Sequence, residues 1–229
     1  GIIDTVHLIE VAKSAQWLAG SKSATAADSA AIKGWFGAYV EWLTTHEYGV
    51  AERDAKNNHG TCWVMQVAAF AQLTGQTAVV DDCRLRYKSI LLPSQMAADG
   101  SFPLEIKRTK PYGYSLFNLD AFATICQILS TPTDDLWSFA MPDGRGMKKA
   151  MGFLYPYLQD KTTWPFGKDV MHFDEWPVRQ PSLLFSGLAY GNQAYLDLWT
   201  RLNPAPTTEE VIRNVPVRHP LLWVAPNGR

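Results

Sequence analysis

Thr61-Cys62-Trp63-Val64-Met65-Gln66-Val67-Ala68-Ala69-Phe70-Ala71-Gln72-Leu73, closed by Gly75, is the stretch that sets the fold class. It reads as a strong helix, with a glycine just beyond its last turn as the stop. Upstream, Ala27 to Thr44 carries an apolar stripe of Ile32, Trp35, Phe36, Tyr39, Val40 and Leu43. Before that, Asp4 to Leu18 places Val6, Ile9, Val11, Ala15 and Leu18 broadly at helical spacing, and Gly20 ends it. Between these helices and the opening stretch, Glu47 to Asn58 is polar and reads as irregular.

Downstream, Val79 to Met96 reads as a helix interrupted near Pro93. Phe102 to Thr109 alternates weakly and is expected as a short strand or an extended loop. Helices follow over Tyr114–Leu129, Met147–Leu158, Leu183–Tyr190 and Ala194–Leu202. From Pro204 the chain is proline-rich and reads as a tail wrapping the surface. The fold class is therefore all-α. Helix succession alone fits an α/α toroid of antiparallel hairpins around a cleft, complete or incomplete, and fits an ordinary bundle equally.

Composition narrows the function classes. The 229 residues are 47% hydrophobic and 19% charged, enough for a sizeable core and too apolar for disorder. With a net charge of −1 there is no global basic field to recruit nucleic acid or a membrane surface. No apolar run approaches the length of a membrane span, and no signal peptide is visible. Cys62, Cys83 and Cys126 fit no metal spacing, leaving one disulfide plus a free thiol, or three buried thiols. Nine tryptophans and nine tyrosines suit either core filling or a sugar-binding cleft.

Two short stretches carry chemistry. In Lys56-Asn57-Asn58-His59-Gly60-Thr61-Cys62-Trp63, Asn58 or Thr61 as an N-cap accounts for one polar residue. It does not account for Asn57, Asn58 and His59 together, and a histidine flanked by amides at a helix mouth can hold and neutralise a carboxylate. In Lys107-Arg108-Thr109-Lys110-Pro111-Tyr112-Gly113-Tyr114, three cations and two phenols lie within eight residues. A solvated basic loop is the plain reading. In a near-neutral chain, however, this main basic cluster suits a polyanionic sugar whose carboxylate an arginine grips in two parallel bonds.

The Asn57-Asn58-His59-Gly60-Thr61 segment opening a helix resembles the central motif of the alginate lyase superfamily of α/α-toroid polysaccharide lyases. Arg108 to Tyr114, followed by Ser115-Leu116-Phe117-Asn118-Leu119, resembles its second motif, and Phe173 to Pro181 also looks familial. The likeness runs over about Gly1 to Leu202, with Cys62 standing where relatives often carry an aromatic residue.

The resemblance implies metal-independent β-elimination in 1,4-linked uronate polymers such as alginate, polymannuronate in particular, with glucuronan as the alternative substrate and no cofactor. It implies His59, Asn58 and Arg108 as the shell that neutralises the uronate carboxylate, and Tyr114 as acid and base; the other assignment makes His59 the base. Asn57, Trp63, Lys110, Tyr112, Trp176 and Arg179 are the expected substrate contacts.

Residues 1–203 are expected as the catalytic domain and 204–229 as a tail packed on it. Relatives are longer at the N-terminus, so several helices, one wall of the cleft and a further asparagine are expected from an N-terminal part of the same protein. A secreted or periplasmic location is expected on the same ground. A glycoside hydrolase would instead need two opposed carboxylates about 5–10 Å apart, drawn from Asp81, Asp82, Asp174 and Glu175. A non-catalytic glycan-binding protein would keep the aromatics and cations without needing the Tyr114 hydroxyl.

Overall fold

Two helices, α4 (Asn58–Thr74) and α8 (Pro111–Leu129), form the centre of the computed structural model, which describes residues 1–224. Every residue of α4 from Gly60 to Ala71 is buried, and in α8 only Tyr114 and Gln127 are not. A helix apolar around its whole circumference has to be enclosed by others. The two run parallel. Gln95 accepts from Thr61 Oγ1 and Asn118 Nδ2 (2.9 and 3.1 Å) near their starts, and Gln72 donates to the Ile128 carbonyl near their ends. Both N-termini therefore open at the same end of the molecule.

Other helices pack around this pair as antiparallel hairpins in an α/α toroid. On one side α1 (Leu8–Leu18) and α2 (Ala26–Thr45) flank α4. The indole N–H of Trp63 donates to the Leu43 carbonyl and Phe36 meets Phe70 at 4.9 Å, which sets α2 antiparallel to α4. Gly75, left-handed at φ 75°, ends α4 and lets α5 (Thr77–Arg86) fold straight back. On the other side α9 (Met147–Gln159) and the hairpin of α10 (Pro181–Tyr190) and α11 (Gln193–Arg201) cover α8. Among the described residues the only β-pairing is an isolated bridge between Thr131 and Asp134.

Two expected segments differ, and the expected break near Pro93 takes a particular form. Glu47 to Asn58 is not irregular: it holds α3 (Glu47–Asp54), capped by His46 Nδ1 on the Tyr48 N–H. Its surface is too polar for an apolar stripe to announce it. Phe102 to Thr109 is neither strand nor extended loop. Pro103 starts a one-turn helix, α7 (Pro103–Ile106), after the short α6 (Leu92–Gln95). The break near Pro93 takes the form of a π-turn over Tyr87–Leu91, placed where proline supplies no N–H.

The C-terminal segment forms α12 (Glu209–Arg213) and then runs back over α1, where Glu10 accepts the N–H groups of Arg218 and His219. Residues 225–229 of the expected tail lie outside the described residues. Cys62, Cys83 and Cys126 are three buried free thiols, so the disulfide alternative is set aside.

Candidate active site

The common mouth of α4 and α8 collects the residues of both motifs. Asn57, rather than Asn58 or Thr61, caps α4, its Oδ1 accepting the His59 N–H at 3.2 Å. Asn58 and His59 are thus residues of the first helical turn. Gly60 permits the tight α3–α4 corner, since a Cβ there would stand 2.2 Å from the Ala55 carbonyl oxygen. Asn58 is buried, and it gives its backbone N–H (2.6 Å) and its side-chain amide (2.9 Å) to the two oxygens of Glu105. The half-buried imidazole of His59 sets Nδ1 2.6 Å from Glu52 Oε2.

Glu105 joins the two motifs. One of its oxygens also accepts from Arg108 Nη1 at 3.2 Å. Burial raises its carboxyl above the usual range, opposed by the Asn58 N–H and by the charges of Arg108 and His59. The guanidinium of Arg108 then lies 3.8 Å from the centre of the Tyr114 ring, with the Lys110 ammonium 5.0 Å from the same ring. Tyr114 is half-buried on a helix turn whose other residues are enclosed.

That turn is built by Asp169, which sequence reasoning missed. Its two oxygens accept the N–H groups of Tyr112 (2.7 Å) and Gly113 (2.8 Å), filling the N-terminal donors of α8. Trp176 closes over the same turn, so a Cβ at Gly113 would come within 2.9 Å of the indole nitrogen and 2.8 Å of Asp169 Oδ2.

Several expected substrate contacts are placed elsewhere. Trp63 is 1% exposed in the core, its N–H bonded to α2. Tyr112 is fully buried, donating to the Tyr157 carbonyl at 2.8 Å and packed edge-on against Trp164. Trp176 is buried against the Tyr114 turn. Arg179 donates to the Thr200 carbonyl and stacks over Trp199, tying α11 to the preceding loop. Trp63, Tyr112 and Trp176 are enclosed by neighbouring elements, and Arg179 is held by the Thr200 carbonyl and the Trp199 ring. Lys110 remains at the mouth, although its ammonium pairs with Glu210.

Glu105 and Glu52 were also missed. The available signals were a carboxylate three residues before Arg108 and one seven residues before His59. Beyond Glu52 lies a cavity of about 650 Å³ walled by Tyr39, Trp42 and Tyr48, the last two substantially exposed. Among the described residues no three His, Cys, Asp or Glu side chains gather as a metal site.

Comparison with known proteins places this geometry. The family model described as alginate lyase matches residues 1–164. A crystal structure of an alginate lyase from Bacteroides ovatus superposes with a TM-score of 0.80 at 27% identity, covering 95% of this chain and 57% of that one. The chain thus spans a little over half the length of that relative. No curated protein matches.

Proposed function

We propose a function from one premise: the chain belongs to the alginate lyase family. On that premise it is the catalytic part of a polysaccharide lyase that cleaves 1,4-linked uronate polymers by β-elimination. Alginate rich in mannuronate is the preferred substrate and glucuronan the second. It meets them outside the cytoplasm, as a secreted or periplasmic protein. The observation that carries the reading is the continuous chain Asn58–Glu105–Arg108–Tyr114, with His59 beside it, at the shared mouth of two buried helices.

β-Elimination removes the C5 proton of a uronate and expels the C4 oxygen. The substrate carboxylate makes that proton hard to remove until its charge is neutralised, and an enolate-like intermediate then needs donors on its oxygens. Arg108 supplies positive charge and N–H groups, and His59 faces the carboxylate through Nε2, adding a second cation and N–H donor when its ring is protonated; Asn58 holds the Glu105 hub to which Arg108 is tethered. Tyr114 acts as the phenolate: its oxygen takes the C5 proton and becomes the phenol, with the cations of Arg108 and Lys110 over its ring beside the negative charge that the base starts with. In mannuronate and glucuronate the C5 hydrogen and the C4 oxygen share a face, so one phenol can return the proton to the leaving oxygen. The exposed faces of Trp42 and Tyr48 offer stacking surface for a neighbouring pyranose ring.

The test is ultraviolet absorbance of the unsaturated product during incubation with polymannuronate, polyguluronate and glucuronan, for wild type and Tyr114→Phe. A rise with wild type that vanishes in the variant supports elimination through Tyr114, and the fastest polymer names the substrate. A rise that persists in Tyr114→Phe moves the base to His59. No rise on any of the three with folded protein overturns the lyase reading.

A further inference from the structure

Glu52 lies outside the set that elimination requires, yet it makes one of the shortest side-chain contacts at the site. It stands near the end of α3, and His59 stands in the first turn of α4. They meet because residues 55–57 turn the chain sharply and Gly60 lets the two helices close on the Ala55 carbonyl. Glu52 Oε2 lies 2.6 Å from His59 Nδ1, while Oε1 is tethered to the Ile2 N–H at 3.4 Å. The carboxylate is therefore held from two sides and shows only about a quarter of its side chain to solvent.

We infer that Glu52 is a positioning residue that fixes the ring orientation and tautomer of His59, keeping the hydrogen on Nδ1 and presenting Nε2 to the uronate. The inference rests on the lyase reading for its catalytic consequence, but the contact itself is independent of it. An ionised carboxylate can only accept, so the imidazole nitrogen facing it must carry a hydrogen. Nε2, which bonds none of the described residues, is then the atom available to substrate in either protonation state. Without Glu52 the neutral ring is free to turn over or to move its hydrogen to Nε2, and the position of its donor and lone pair is lost. Glu105, from α7, also acts on this ring. It is occupied by Asn58 and Arg108 and cannot replace Glu52 at Nδ1.

The experiment uses the whole chain labelled with ¹⁵N-histidine. Imidazole nitrogen shifts assign the His59 tautomer in wild type and in Glu52→Gln, with His59→Gln identifying the signal and circular dichroism confirming equal folding. Steady-state kinetics are measured on the best uronate polymer. Wild type is expected to keep its hydrogen on Nδ1 wherever the ring is neutral. Glu52→Gln should lose that preference and lower kcat by about 10–100-fold with KM changed much less, as when a partner orienting a functional histidine is removed. Glu52→Ala should do the same. An Nε2–H tautomer in wild type overturns the inference, and so does a Glu52→Gln variant that keeps both the tautomer and kcat. If wild type forms no unsaturated product, the lyase reading falls, while the nitrogen shifts still decide whether Glu52 holds the ring.

Discussion

The first turns of α4 and α8 are built with the same device and put to different ends. Each helix is enclosed nearly all round, each starts at the same mouth, and each has a carboxylate against its N-terminal N–H groups: Glu105 at Asn58, Asp169 at Tyr112 and Gly113. Just past that anchor each helix shows one half-buried polar side chain, His59 on α4 and Tyr114 on α8. The difference lies in what else the carboxylate touches. Asp169 bonds backbone and lies under Trp176, so it sets the position of a turn. Glu105 also takes the Asn58 amide and Arg108, so it fixes a side chain, Arg108, that would face substrate. Helix termini supply rigid mounting points. The chemistry depends on whether the anchoring carboxylate has side-chain partners.

The comparison yields graded expectations. The largest effect is expected at the half-buried tyrosine of α8: Tyr114→Phe should lower kcat by about 10²–10⁴-fold, the range for loss of a general acid–base group, with the thermal midpoint close to wild type. Glu105→Gln should come next. It removes the charge that tethers Arg108 and replaces one acceptor for Asn58 with a donor. Unfolding is expected to lose about 2–4 kcal/mol and kcat to fall along with it. Asp169→Asn, the matched change on the other helix, should cost about 1–3 kcal/mol of stability. Its kcat should fall less than that of Glu105→Gln. Equal kinetic losses in the two variants, measured beside chemical denaturation curves, would erase the distinction between the two anchors.

A pH prediction sharpens the comparison from outside the mouth. Asp120, deep in α8, faces the Ser182 N–H and the Gln180 side chain, and burial pushes its carboxyl up to about 8 despite the Ser182 bond. A carboxyl raised on folding binds its proton more tightly in the native state. Its contribution is therefore fully present below the unfolded value near 3.8 and is lost as pH rises toward about 8. Denaturation from pH 5 to 9 should show stability declining across that window, by at most about 1.4 kcal/mol per pH unit from this one group. Asp120→Asn should flatten the slope. Glu105 and Asp169 are raised in the same sense by burial, so each should add a component of the same sign. The smallest effect is expected from Tyr112→Phe, which removes one hydrogen bond to the Tyr157 carbonyl: about 1 kcal/mol of stability and kcat within about twofold of wild type.

Much of the fold was legible because buried helices announce themselves. Thr61 to Leu73 and Tyr114 to Leu129 are apolar over many turns, and Gly75 marks a stop. Boundaries set by tertiary closure were not legible. Pro111 starts α8 three residues before the expected point, and Asn57 caps α4 because Glu105 arrives from another element to hold Asn58.

The same physics divided the site. His59, Arg108 and Tyr114 stood out by residue type and order. Glu52, Glu105 and Asp169 did not, since a carboxylate in a weakly patterned segment looks solvated until a partner is brought to it. Trp63, Tyr112, Trp176 and Arg179 show the converse. An aromatic or basic residue beside a motif carries no mark of the face it occupies, and these four turn toward the interior or toward neighbouring helices.

The central claim is that the mouth breaks a glycosidic bond by elimination, without adding water. Mass spectrometry of polymannuronate fragments formed in ¹⁸O-water tests it directly. Elimination predicts fragments one water lighter than hydrolysis products, with no heavy oxygen introduced by the cleavage itself once carbonyl exchange at the reducing end is blanked. Fragments of full hydrated mass carrying one heavy oxygen at the broken bond would contradict it and assign the site to hydrolysis.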